Sequence, residues 1–450
     1  MVAAVIGREA ALPLLALTAG EAEVADEVAG LATWSGRAGE TYGEAVQYFS
    51  GPLMASRPLN IAFVRPGLGI GGAERLVVDA ALELSGRGHA VTLYVGDRQE
   101  AQLDEVRAGL VRVVAVGRLL PAQIAQRLRA PAAIARAAWA ARALARSTPA
   151  PDVVVVDLVA HVIPLLRRLV RAPVACYCHF PDLLLAPRRR GLYALYRAPL
   201  DRMEAAGLAA ADRVLVNSRF TASIVRATFP RLGLGTLEVV HPGVEVGGDA
   251  PPAPPPESEA LVLSVNRFDP GKNLALAVDA LAALRSRMAP AAFAAVRLVL
   301  AGHFDARLAE SRALAADLEG RARELGLGGQ VSLARSPSDA ERHALLARAR
   351  CVVYTPAAEH FGIVPLEAMA AARPVIAVNR GGPTETIVHG ETGWLAEPRP
   401  EAFAAALARV LGDPAAARRT GEAGWAHVRR NFSRRAFGDR LEASLRALTG

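Results

Sequence analysis

Residues 250–256 (APPAPPP) constrain this 450-residue chain more than any other stretch. Proline fixes φ and lacks a backbone N–H, so a segment this rich in it enters neither a central strand nor a helix interior. On both sides of it, short apolar runs alternate with segments of helical period. Ahead of it the predicted strands are 60–64, 90–95, 111–116, 152–157, 174–177 and 213–217. The spacing of Ala73, Leu76, Val77, Ala80, Ala81 and Leu84 predicts an amphipathic helix. After it the predicted strands are 261–266, 296–301, 330–333, 351–354 and 375–378, with a helix over 273–288. Such β–α alternation demands crossovers, hence parallel sheets covered on both faces. The expected fold is α/β, with two tandem Rossmann-like doubly wound domains facing across a cleft. Ligands then collect at the carboxyl edges of the strands. The expected organisation is an extension over 1–56, read as disordered, and a first domain over 57–247. A linker over 248–257, a second domain over 258–430 and a C-terminal helix over 431–450, able to pack back on the first domain, complete it.

Composition narrows the class. Lys plus Arg number 52 against 44 Asp plus Glu, a net charge of +8, which suits an anionic partner. Aromatics are 5%, and no basic run is interleaved with them, so nucleic acid is not expected. Three cysteines in so long a chain exclude a disulfide scaffold, and Cys176 and Cys178 lie too close for the usual zinc spacing. They read as reduced, buried thiols. No stretch reaches the roughly 18 uncharged apolar residues of a membrane span, and the start lacks a basic leader region. Alanine-rich 121–147 carries Arg127, Arg129, Arg136, Arg142 and Arg146 around Trp139. It reads either as a solvated outer helix or as an interfacial one that meets anionic lipid.

Three motifs carry chemistry. Gly67, Gly69, Gly71 and Gly72 lie in 67–72 (GLGIGG) between the first strand and its helix. There, backbone can approach a phosphate at a helix N-terminus. With Asp97 after the second strand, the same glycines also fit a nicotinamide dinucleotide site. Arg267 and Lys272 follow the first strand of the second half, a place for a diphosphate, with Asn273 expected to cap the helix. Glu359 and Glu367 flank Phe361, Gly362, Ile363 and Val364 at the end of a later strand. Glu367 can accept from ribose hydroxyls, and Glu359 can reach the donor sugar. His179 and Asp182 stand at a strand end in the first half, where a sugar contact competes with a structural role. No two aspartates lie two apart, so the metal-binding D-x-D pattern is absent and no metal is expected.

The pair Glu359-x7-Glu367, followed by 374–377 (PVIA), 381–385 (GGPTE) and 390–395 (GETGWL), resembles the donor domain of family 4 retaining glycosyltransferases. In the first half, 66–75 (PGLGIGGAER), 176–185 (CYCHFPDLLL), 195–199 (LYRAP) and 216–221 (VNSRFT) are similar to the branch of that family that adds mannose to lipid-linked oligosaccharides. The resemblance implies a GT-B fold and GDP-mannose as donor, with no tightly bound cofactor. It implies an acceptor on dolichyl diphosphate at the cytosolic face of the endoplasmic reticulum membrane, among other mannosyltransferases of that pathway. It implies that Arg267 and Lys272 hold the diphosphate, Glu367 the ribose and Glu359 the mannose. Other readings stay open on the residues alone: a family 4 hexosyltransferase with another donor, a catalytically dead subunit of the same fold, or an NAD-dependent oxidoreductase resting on the glycines and Asp97.

Overall fold

The computed structural model describes residues 57–68, 72–96, 104–116, 129–185, 192–233, 237–256 and 259–450. The 1–56 extension, Gly69, Gly71 and Asp97 lie outside them, so the readings placed on them stay at the sequence level. The first half is a seven-stranded parallel sheet: β1 (Asn60–Arg65), β2 (Ala90–Val95), β3 (Arg112–Ala115), β4 (Val153–Asp157), β5 (Val174–Cys178), β6 (Arg213–Val216) and β7 (Leu237–Val239), in the order β3-β2-β1-β4-β5-β6-β7. The second is a six-stranded parallel sheet: β8 (Ala260–Val265), β9 (Val296–Gly302), β10 (Val331–Arg335), β11 (Cys351–Tyr354), β12 (Val375–Val378) and β13 (Gly393–Ala396), in the order β10-β9-β8-β11-β12-β13. Both orders reverse next to the first strand of the half, at β1/β4 and at β8/β11. A doubly wound sheet opens its ligand crevice at such a reversal.

The helices include α1 (Gly72–Gly86), α2 (Arg129–Leu144), α3 (Leu192–Ala210), α4 (Arg219–Thr228), α5 (Ala275–Leu284), α6 (Ile363–Ala370), α7 (Pro400–Gly412), α8 (Pro414–Asn431) and α9 (Arg434–Thr449). Strands β4, β5 and β11 are buried along their whole length, which is why they read as unbroken apolar runs. The helix expected over 273–288 ends at Leu284 and passes into a single 3-10 turn. Asn273 does not cap it. Its φ of 49° is left-handed and closes the preceding turn Pro270–Lys272, and α5 begins after Leu274 without a side-chain cap. The three cysteines are free and buried, and burial pushes the Cys178 and Cys351 thiols up to about 12.

The last helix belongs to the first core. Phe437, Leu441 and Leu445 are fully buried among Leu76, Val77 and Leu84 of α1. The chain reaches them by crossing from one half to the other. Val244 donates to the Phe432 carbonyl and Arg434 to the Val244 carbonyl, both at 2.9 Å. Leu441→Ala is expected to cost about 2–5 kcal/mol in urea unfolding. Faster amide exchange in α1, distant in sequence, should accompany the loss; protection unchanged there would contradict this packing.

Candidate active site

The second-half loop after β8 begins with Asp269, whose Oδ1 accepts from the Gly271 N–H at 2.8 Å and shapes the turn Pro270–Lys272. Thr355 Oγ1 donates to the Lys272 carbonyl at 2.8 Å and ties this loop to the end of β11. The Lys272 Nζ then lies 2.7 Å from Glu359 Oε2, and the Tyr354 hydroxyl donates to that same oxygen at 2.7 Å. Burial works against the charge on Glu359. The Lys272 ammonium and the two hydrogen bonds outweigh it, holding the carboxyl below its usual range. Burial and the adjacent Glu359 charge push the Tyr354 phenol well up, so it stays a donor. Both bonds fall on Oε2, which leaves Glu359 Oε1 open among the described residues. Two of the three ammonium hydrogens of Lys272 are likewise unspent.

Gly362, at φ 85°, starts α6, and no side chain caps that helix. The N–H groups of its first turn are therefore available to a ligand. Glu367, one turn in, is bound through Oε2 by Arg342 Nη1 at 2.8 Å. Arg267 is two-thirds exposed and 3.9 Å from Asp269, so the fold does not lock it to the Lys272–Glu359 pair. The Phe361 side chain is buried against His241 and Phe432, with ring centroids 5.7 and 6.2 Å away. Only its backbone faces any ligand role. What seats this loop is the glycine pair after β12. A Cβ on Gly381 would lie 2.3 Å from the Glu359 carbonyl oxygen, and one on Gly382 would lie 2.2 Å from Phe361 Cα. The Gly382 N–H donates to that carbonyl at 3.0 Å.

The first half brings His179 and Phe180 to the same place. Ser218 Oγ donates to the His360 carbonyl at 2.7 Å, and the Phe180 ring stacks on the His360 imidazole at 3.7 Å with 9° between planes. Glu385, in the short helix Pro383–Thr386, accepts from the Arg219 and Phe220 N–H groups at 2.8 and 2.7 Å and lies 3.3 Å from His241 Nε2. Burial lowers the proton affinity of His360 over the opposing pull of Glu359, which keeps the stacked ring neutral at pH 7. His179 Nε2 is 2.7 Å from Asp157 Oδ1. Asp182 is drawn off by Arg197 at 2.9 Å and is not joined to His179 by any contact among the described residues. A Cβ on Gly72 would meet nothing within 4 Å, so the described packing does not itself demand glycine there. The described residues hold no group of three or more His, Cys, Asp or Glu side chains fit for a metal.

Sequence reasoning missed Tyr354, Arg342, Asp157 and Glu385. The partners of the last three lie 22 to 166 residues away; Glu385 ends the quoted 381–385 motif, but nothing there points to its partners. Tyr354 carried a signal, since it ends the strand leading into the Glu359 loop.

A strand-edge crevice between two parallel sheets, with a lysine–glutamate pair at an uncapped helix start, defines a GT-B glycosyltransferase. Residues 70–247 match the model of Glycosyltransferase Family 4, and residues 249–426 match that of Glycosyl transferases group 1. HepE of Anabaena bound to UDP superposes with a TM-score of 0.66 at 19% identity, over 86% of this chain and 100% of that one. Sucrose-phosphate synthase of Thermosynechococcus elongatus gives 0.67 at 23% identity, over 86% and 98%. The alpha-1,3/1,6-mannosyltransferase ALG2 of Homo sapiens is 40% identical over 85% of this chain and 94% of its own length. The enzyme of the same name from Rhizomucor pusillus is 38% identical over 87% and 92%. The chain belongs to this α-1,3/1,6-mannosyltransferase family, and the oxidoreductase reading of the glycine segment falls.

Gly382→Ala tests the seating of the loop. A displaced Glu359 should cost about 10²-fold in turnover, with helical content retained by circular dichroism. Wild-type turnover would mean that this close approach does not position the site.

Proposed function

We propose that the chain moves mannose, with retention, from GDP-mannose to the mannosyl-chitobiose acceptor on dolichyl diphosphate, forming first an α-1,3 and then an α-1,6 linkage. The observation that carries this reading is the Lys272–Glu359–Tyr354 cluster at the uncapped start of α6, facing His179. In this reading the two free Lys272 hydrogens and the first N–H groups of α6 take the diphosphate, and Arg267 swings in from its exposed loop. The open Oε1 of Glu359 accepts from a mannose hydroxyl, and that of Glu367 from the ribose, with Arg342 holding the Glu367 carboxylate through Oε2. As the C1–O bond of the donor breaks, charge grows on the β-phosphate oxygens. Groups aimed there in advance stabilise it, and each such donor is worth about 3–4 kcal/mol at a desolvated site. The acceptor hydroxyl attacks C1 from the leaving group's face and passes its proton to the departing phosphate.

With donor saturating, Lys272→Ala is expected to lower turnover by about 10²–10³. A fall below tenfold would remove the leaving-group role. Incubation of the purified protein with GDP-mannose and a lipid-linked mannosyl-chitobiose, followed by linkage analysis, tests the reaction itself. UDP-glucose turned over in its place would favour a different hexosyltransferase.

A lipid-borne acceptor calls for contact with a membrane, proposed here at the cytosolic face of the endoplasmic reticulum. Among the described residues no helix is long and apolar enough to cross one. Two helices present outer faces suited to lying on one. On α2, Trp139 is 54% exposed beside Arg142, while Ala137, Ala140 and Ala141 pack inward. On α3, the outward row is Leu195, Pro199, Arg202, Met203 and Ala206, with Leu195 72% exposed. Apolar residues with scattered cations suit an anionic bilayer surface. The protein should float with anionic liposomes, and Trp139→Ala combined with Leu195→Ser and Met203→Ser should weaken this at least several-fold. Absence of flotation by the wild type would remove the membrane contact.

A further inference from the structure

Four charged or titratable groups run along the carboxyl edge of β1, β4 and β5. Arg65 ends β1 and Asp157 ends β4, and both are fully buried. The Arg65 Nη2 lies 2.9 Å from Glu74 Oε1 and 3.6 Å from Asp157 Oδ2. Asp157 Oδ1 is 2.7 Å from Nε2 of His179, which follows β5 and is about one-fifth exposed. Glu74 sits in the first turn of α1, just after the glycine segment. The row therefore starts at the helix that follows the glycine segment and finishes on the His179 ring. Buried ion clusters are poor sources of stability, since apolar side chains of the same volume often do as well. The placement is explained better by what it does to His179.

The geometry points to Asp157 as a positioning residue that fixes the His179 tautomer so that Nδ1 accepts a hydrogen bond from a sugar hydroxyl in the cleft. Arg65 supplies positive charge beside Asp157, and a carboxylate in that position only accepts. Nε2 must then carry the hydrogen, and in the neutral ring Nδ1 keeps the lone pair. Nδ1 makes no hydrogen bond among the described residues. The Asn217 side chain donates to the His179 carbonyl at 3.2 Å, which anchors the backbone of the same residue. The ring is thus oriented from behind, with its acceptor nitrogen left for substrate. This inference rests on the transferase reading for the identity of the hydroxyl, but the tautomer itself does not.

The test uses the full chain with 15N-labelled histidine. Its nine histidines give resolvable ring systems, and the signals lost in His179→Gln identify the one required. At pH 7.5 the expected long-range 15N–1H pattern is that of a neutral ring protonated at Nε2. A ring protonated at Nδ1, or at both nitrogens, overturns the proposal, and this outcome is read on the wild type whether or not any variant folds or any sugar is transferred. Asp157→Asn is the second arm. It should mix the two tautomers and lower turnover at least tenfold, leaving the KM for GDP-mannose within twofold. Adding His179→Gln to it should cost little more. A merely structural role would lower the melting temperature without moving the ring signals. Full turnover in Asp157→Asn also overturns the proposal. A wild type with the expected ring signals but no mannose transfer would sink the transferase reading and leave the tautomer assignment standing.

Discussion

The site depends on a close approach that only glycine permits. Where β12 ends, Gly381 and Gly382 run so near the Glu359–Phe361 backbone that a Cβ at either would overlap it. Glu359 is thereby fixed at the height where Lys272 and Tyr354 reach the same carboxylate oxygen, and Gly362 is left to turn the chain into α6. Three residues on from Gly382, Glu385 accepts from the first N–H groups of α4 in the other half. A carboxylate at a helix N-terminus meets unsatisfied donors and the positive end of the dipole, so this contact is favourable as well as specific. One five-residue turn therefore seats the catalytic loop on its own sheet and clasps the opposite sheet beside it.

That economy explains why the fold was legible in the sequence and the site only partly so. Parallel strands buried on both faces write themselves as apolar runs, and the runs at 153–157 and 351–354 needed no context. β13 did not stand out, because four residues that open on a glycine carry no period. The motif residues Lys272, Glu359 and Glu367 were found because each sits next to a turn signal at a strand end. Their partners were not. Arg342, Asp157 and Arg65 lie in ordinary helical or strand sequence, and only the folded chain brings them to a carboxylate or a ring. Asn273 misled for a related reason: its side chain suits a helix cap, but the turn at Pro270 takes the residue into a left-handed conformation first.

The two halves divide the electrostatic work differently. In the second half the charges near the ligand site are balanced but incompletely used. Lys272 meets one carboxylate oxygen, Glu367 meets Arg342 through one oxygen, and α6 keeps its first N–H groups free. Such a site already holds its groups in place and loses little order when a diphosphate sugar arrives. In the first half the charges are buried deeper, and only His179 emerges at their end. A phosphate-bearing donor needs cations and N–H groups, and these stand in the second half.

The clasp is made of polar and aromatic contacts. Glu385, His241, Ser218 and the Phe180–His360 stack hold the halves together over the loop that carries Glu359. Burial opposes the Glu385 charge, but the hydrogen bonds from His241 and from the Arg219 and Phe220 N–H groups more than offset it, so its carboxyl stays below the usual range. The Glu385 carboxylate is thus charged at neutral pH and loses its charge only under acid. The members of the clasp are two helix N–H donors and the His241 ring on Glu385, one hydroxyl and one ring pair. The hydrogen bonds to the Glu385 carboxylate are charge-assisted, about 1.5–3 kcal/mol each, whereas the Ser218 hydroxyl bond is of the ordinary size, about 1 kcal/mol.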